Sequence, residues 1–209
     1  LGWCALGEGS DLGAGLTGVS LDGRQWSFRD HARALSIAED HVASAYYFEL
    51  DPSSKIALDD RYEVTTHTLM SGAGEVHVFW HNSPEPLFLH LGGYGIAAPS
   101  TEAVTATGSA DGIEIRTPGY YSVLRVLLGP AGKVSPEVLS PRKGWQNAHL
   151  FDRVGAFPQW RSTAPVPANV PVVIYVDGGR NREPLKPEFS IERMPGQLII
   201  HFDGKTQVI

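Results

Sequence analysis

A single cysteine, Cys4, stands in 209 residues. No disulfide framework can hold such a chain, and a chain of this length buries a core without one. Basic residues are also few: 17 Lys and Arg against 23 Asp and Glu, for a formal charge of −6. They are scattered rather than clustered, so the electrostatic footprint of a nucleic-acid protein is missing and no nucleic-acid partner is expected. No apolar run approaches the roughly 20 residues of a membrane helix, so no membrane partner is expected either. No Asn-X-Ser/Thr acceptor occurs, because Asn82-Ser83 is followed by Pro84. Helical composition is scarce too. Only His31–Asp40 offers any, and its apolar spacing is poor.

What the chain has is punctuation. It contains 23 Gly and 15 Pro, and the runs between them are short and rich in β-branched and aromatic residues. Leu16–Leu21 and Gln25–Phe28 flank Asp22-Gly23, a hairpin signal. Arg61–Met70 and Glu75–His81 flank Ser71-Gly72-Ala73-Gly74 in the same way. About a dozen such runs, with no repeat and no low-complexity tract, predict an all-β, antiparallel β-sandwich with large sheets, one domain over 1–209. Residues 141–170, which include Trp145, Phe157 and Trp160, lack a period and read as a long aromatic loop. The chain opens on Leu1 with no initiator Met, which reads as a piece of a longer protein.

His77-Val78-Phe79-Trp80-His81 carries two histidines at the spacing of a helical zinc site. Here, however, Val76, Val78 and Trp80 alternate with Glu75, His77, Phe79 and His81, a period of two that means a strand. Along a strand His77 and His81 lie about 13 Å apart, too far to share a zinc bound at about 2.0–2.1 Å. Neither a metal nor a cofactor is expected. The alternative is a cross-strand site. If Val64 pairs with Trp80, then Tyr62, Val64 and Thr66 share a buried face with Val76, Val78 and Trp80. Glu63 then faces His81 and His67 faces His77 on the other side, about 5 Å between Cβ atoms. Glu63, His67, His77 and His81 are the metal candidates of that arrangement.

Other motifs fail on context. Gly13-Ala14-Gly15-Leu16-Thr17-Gly18 spells GxGxxG but leads into a hairpin, not a helix that could seat a pyrophosphate. Asp59 and Glu63 stand about 13 Å apart in a strand, outside the roughly 5–9.5 Å of paired glycosidase carboxylates. Trp145 and Trp160 are candidates for a sugar-stacking platform, with aromatic packing as the competing reading.

The stretches Asp60–Leu69, Val76–His81, Leu91-Gly92-Gly93-Tyr94-Gly95-Ile96 and Asn147–Tyr175 resemble the C-terminal region of the domain-of-unknown-function 2264 (DUF2264) family. The resemblance spans residues 26–180. Tyr62 and Val64 stand where the family strand is more Thr-rich, and the histidine strand is spaced differently, which leaves the subgroup open. Such proteins are similar to glycoside hydrolases and polysaccharide lyases that join an α-helical toroid to an antiparallel sandwich. The resemblance implies an accessory sandwich of a carbohydrate-active protein acting on uronic-acid-containing glycans. Its partners would be an upstream helical domain of the same chain and an oligosaccharide. Arg61, Glu63, His67 and His77 are the residues that could complete a site built mainly elsewhere. An independent carbohydrate-binding module using Trp145 and Trp160 is one alternative. A small enzyme using the Glu63/His67/His77/His81 face is another.

Overall fold

The computed structural model describes residues 15–21, 24–37, 41–50, 63–93, 96–99, 105–134, 153–156, 159–180 and 183–209. Among these the structure is entirely β. The strands are β1 (Gly15–Leu21), β2 (Arg24–Ile37), β3 (His41–Leu50), β4 (Glu63–Ser71), β5 (Gly74–His81) and β6 (Phe88–Gly92). Then come β7 (Ile96–Pro99), β8 (Thr105–Ser109), β9 (Gly112–Arg116), β10 (Tyr120–Leu128), β11 (Gly132–Val134) and β12 (Arg153–Ala156). β13 (Gln159–Ser162), β14 (Val172–Arg180), β15 (Phe189–Met194), β16 (Gln197–Phe202) and β17 (Lys205–Val208) complete the chain.

Twelve strands form one sheet in the order β11-β13-β6-β1-β2-β3-β4-β5-β14-β10-β9-β8. The sheet folds over on itself. Val19, Leu89, Leu91 and Trp160 from β1, β6 and β13 share one core with Val64, Phe79, Ile174 and Ile115 from β4, β5, β14 and β9. Among the described residues the two edges touch through Gly132 N to Ala110 O at 2.7 Å, and the sheet makes a sandwich rather than a closed barrel. A two-stranded ribbon pairs β12 with β7, and β15-β16-β17 form a small third sheet. Leu198, Ile200 and Phe202 of that small sheet cover Leu69, Val76, Val78 and Val173 on the reverse face of the main sheet. β4, β5, β14 and β10 are therefore buried on both sides, which explains why β14 reads as an unbroken apolar run, VVIYV.

Polar ties hold the cover down. Tyr121 Oη donates to the buried Asp177 carboxylate at 2.5 Å, which also accepts from Leu185 N at 3.4 Å. Arg116 reaches both Glu114 and, at 2.8 Å, Glu183. Together these bonds tie the segment 183–188 to β9, β10 and β14.

The sequence expectation of an antiparallel sandwich holds, but three details change. The weakly helical stretch from His31 runs as strand to Ile37. The long segment 141–170 contains two strands, β12 and β13. The β4–β5 hairpin has a different register from the expected one. Ser71 pairs with Gly74, so Val64 lies opposite His81, His67 opposite Val78 and Thr68 opposite His77. The expected pairing of Val64 with Trp80 would need an odd-length turn. A two-residue turn moves the pairing by one, and one residue of slip sends a side chain to the other face. Gly74 holds this turn at φ 119°, with Val176 O only 2.8 Å from where a Cβ would lie. Tyr175 Oη donates to Ala73 O at 2.6 Å.

Candidate functional site

The corrected register separates the candidate residues. Val76, Val78 and Trp80 share a face, as alternation predicts, but His67 joins them there. Val64 belongs to the opposite face, in the core with Phe79. His77 and His81 lie on that opposite face too, so His67 and His77 cannot meet. The Glu63/His67/His77/His81 cluster is not formed. Among the described residues, no group of three His, Cys, Asp or Glu side chains is placed to hold a metal ion. Arg61, Tyr62, Trp145 and Phe157 lie outside the described residues. Trp160 is 1% exposed in the core and packs on the backbone of Gly132, so it takes the packing reading rather than the sugar-platform one.

On the covered face, His67 is bracketed. His41 Nε2 lies 3.1 Å from His67 Nδ1, with the rings 14° from parallel. The Trp80 ring lies on the other side, centroids 5.3 Å apart. Burial pushes the His67 imidazole down from 6.5 to about 4, and the neighbouring His41 pushes the same way. His67 is thus neutral at physiological pH, and a base this weak is mismatched to proton abstraction near neutrality.

On the opposite face stands a three-residue chain that alternation alone does not reveal. Glu75 and His77 are two apart on β5 and so point the same way, while Thr68 faces His77 across the hairpin. His77 Nε2 lies 3.0 Å from Glu75 Oε2, and its Nδ1 lies 3.2 Å from Thr68 Oγ1. A carboxylate on Nε2 fixes the proton there. The Nδ1 lone pair then accepts from the threonine hydroxyl. The two bonds hold the imidazole ring in one orientation. The side chains of His77 and Glu75 are only 12% and 20% exposed. His81, at the end of the same strand, is buried with Nε2 at 2.9 Å from Val166 O, and burial lowers its pKa. Its role is to tie β5 to the Val166 bridge.

A third group lies across β1, β6 and β13. The register puts His90 beside Arg161, and Ser20 beside Phe88. Ser20 Oγ lies 2.9 Å from His90 Nε2 and accepts from Arg161 Nη2 at 3.2 Å. The Arg161 guanidinium sits over the Phe88 ring, 5.1 Å from its centroid. The sequence reading missed this cluster, because its members come from three distant segments and no local spacing joins them.

The chain matches the crystal structure of heparan sulfate lyase HepC from Pedobacter heparinus with TM-score 0.51 and 12% identity, over 92% of this chain and 29% of that one. Its fold is similar to part of a polysaccharide lyase. The mutant HepC structure from the same organism matches with TM-score 0.52, 13% identity and the same coverage. At these identities the likeness is one of fold, and this chain spans about 29% of the lyase's length. No protein-family model matches the chain, the DUF2264 model included, and no curated protein matches it in sequence.

Proposed function

We propose that this chain is the accessory β-sandwich of a carbohydrate-active protein, a polysaccharide lyase or glycoside hydrolase of the DUF2264 kind, acting on uronic-acid-containing glycans. In this reading it docks against a helical domain elsewhere in the same polypeptide, where most of the chemistry resides. The observation that carries it is the fold likeness to a heparan sulfate lyase over 92% of this chain. The burial of Trp160 removes half of the platform that an independent binding module would use.

β-Elimination from a uronic acid needs a base to take the proton next to the carboxylate. The electron pair forms a carbon–carbon double bond as the bond to the leaving sugar oxygen breaks, and that oxygen takes up a proton. Of the site-completing candidates Arg61, Glu63, His67 and His77, the one this reading puts forward is His77, whose ring is held between Glu75 and Thr68. The test compares the 209-residue chain with the full-length protein on uronic-acid oligosaccharides. The readout is the ultraviolet absorbance of unsaturated product and the release of reducing ends. The expected outcome is turnover by the full-length protein alone. Turnover by the 209-residue chain would refute the accessory role. His77→Ala in a folded full-length protein is expected to cut kcat at least tenfold, and unchanged kinetics would remove His77 from the site.

A further inference from the structure

We infer that Arg161, His90 and Ser20 form a seat for an oxyanion, the carboxylate or sulfate of an acidic sugar, on the β1–β6–β13 leaf. Arg161 is half-buried, yet among the described residues no carboxylate lies within ion-pair distance of it. Its contacts are the Ser20 hydroxyl and the Phe88 ring. A guanidinium carries five N–H donors in a fixed fork, and among the described residues one of them, on Nη2, meets an acceptor, Ser20 Oγ. The remaining donors are open to an anionic group, whose oxygens a guanidinium binds in pairs.

The surroundings suit an oxyanion. Phe88 holds the guanidinium plane in place, which pre-organises the fork for a two-point contact. Ser20 is 4% exposed, so its hydroxyl has a fixed position and links the cation to His90. The sheet register puts His90 directly beside Arg161 and sets Gly18, which has no side chain, on the far side of His90. Arg161 supplies the charge and the fork, and the Ser20 bond to His90 fixes the row on which it rests. Nothing in this arrangement uses the Glu75–His77–Thr68 chain, which lies on β4 and β5. The choice of an acidic sugar rests on the glycan reading above, whereas the choice of an oxyanion rests on the cluster alone.

The test keeps the two apart. Nuclear magnetic resonance of the 209-residue chain follows the His90 ring signals and the Arg161 side-chain signals during three titrations: a uronic-acid oligosaccharide, its carboxyl-reduced neutral counterpart, and inorganic sulfate. The uronic-acid oligosaccharide should shift both residues and the neutral one should not. Arg161→Gln should weaken binding at least tenfold, with Arg161→Lys falling between the two. Sulfate shifting the same signals in an Arg161-dependent way, with no response to the oligosaccharide, would support the seat and count against the glycan. Equal affinity in wild type and a folded Arg161→Gln would overturn the seat, as would silence in all three titrations.

Discussion

His67 lies between an imidazole and an indole, and this decides its charge. Desolvation first and His41 second hold its pKa near 4 instead of 6.5. The unfolded chain therefore binds a proton at this residue between about pH 6.5 and 4 while the folded chain does not, and stability must fall with pH across that window. Above pH 6.5 the penalty is absent. It builds as the pH drops and is complete below about 4. His81, also lowered by burial, adds to the same trend. Denaturant midpoints measured from pH 7.5 to 4 should therefore fall steadily in the wild type. They should fall less steeply in His67→Gln, which keeps a hydrogen-bonding side chain and has nothing to titrate there. Identical slopes would mean that His67 is accessible enough to protonate in the folded state.

At the scale of the element, the β4–β5 hairpin shows what could be read from the chain and what could not. Both strands, their alternation and the turn between them follow from Val64–Leu69, Val76–Trp80 and the Gly-containing connection. The register does not, because it depends on whether two or three residues form the turn. Gly74 answers that through a close approach to β14, a strand about a hundred residues away. Burial on both faces removes the other clue, since Val64 and Val78 each find a core although they lie on opposite sides. The same fact yields a test. Phe79 is 1% exposed in the inner core, whereas Trp80 is half-buried and covers the outer one. Phe79→Ala should cost about 3–5 kcal/mol, and Trp80→Ala distinctly less, both from urea unfolding. The opposite ranking would restore the register in which Trp80 belongs to the central core.

For the whole molecule, the defining feature is that two cores share one set of strands. Leu69, Val76, Val78 and Val173 point outward under the small sheet, while Val64, Phe79, Val172 and Ile174 point inward between the folded halves of the large one. The sandwich class was legible because it needs only short alternating runs and turns. The second cover was not, since β15–β17 look like any other strands until their partners are known. Sequence order is no guide to those partners: β6 pairs with β1, and β14 with β5. Because the backbone of β4, β5, β10 and β14 serves both cores, loosening one must loosen the strands on which the other rests. Ile200 is 1% exposed, in the middle of the small sheet. Ile200→Ala should destabilise the protein by about 2–5 kcal/mol. The loss should be global, in one cooperative transition. Native-state hydrogen exchange distinguishes the cases through two amides, Leu198 beneath the cover and Leu91 at the far side of the inner core. If the cores are coupled, Ile200→Ala accelerates the exchange of both by the same factor. Faster exchange at Leu198 with Leu91 unchanged would mean that the small sheet opens by itself, as a lid on a sandwich already complete without it.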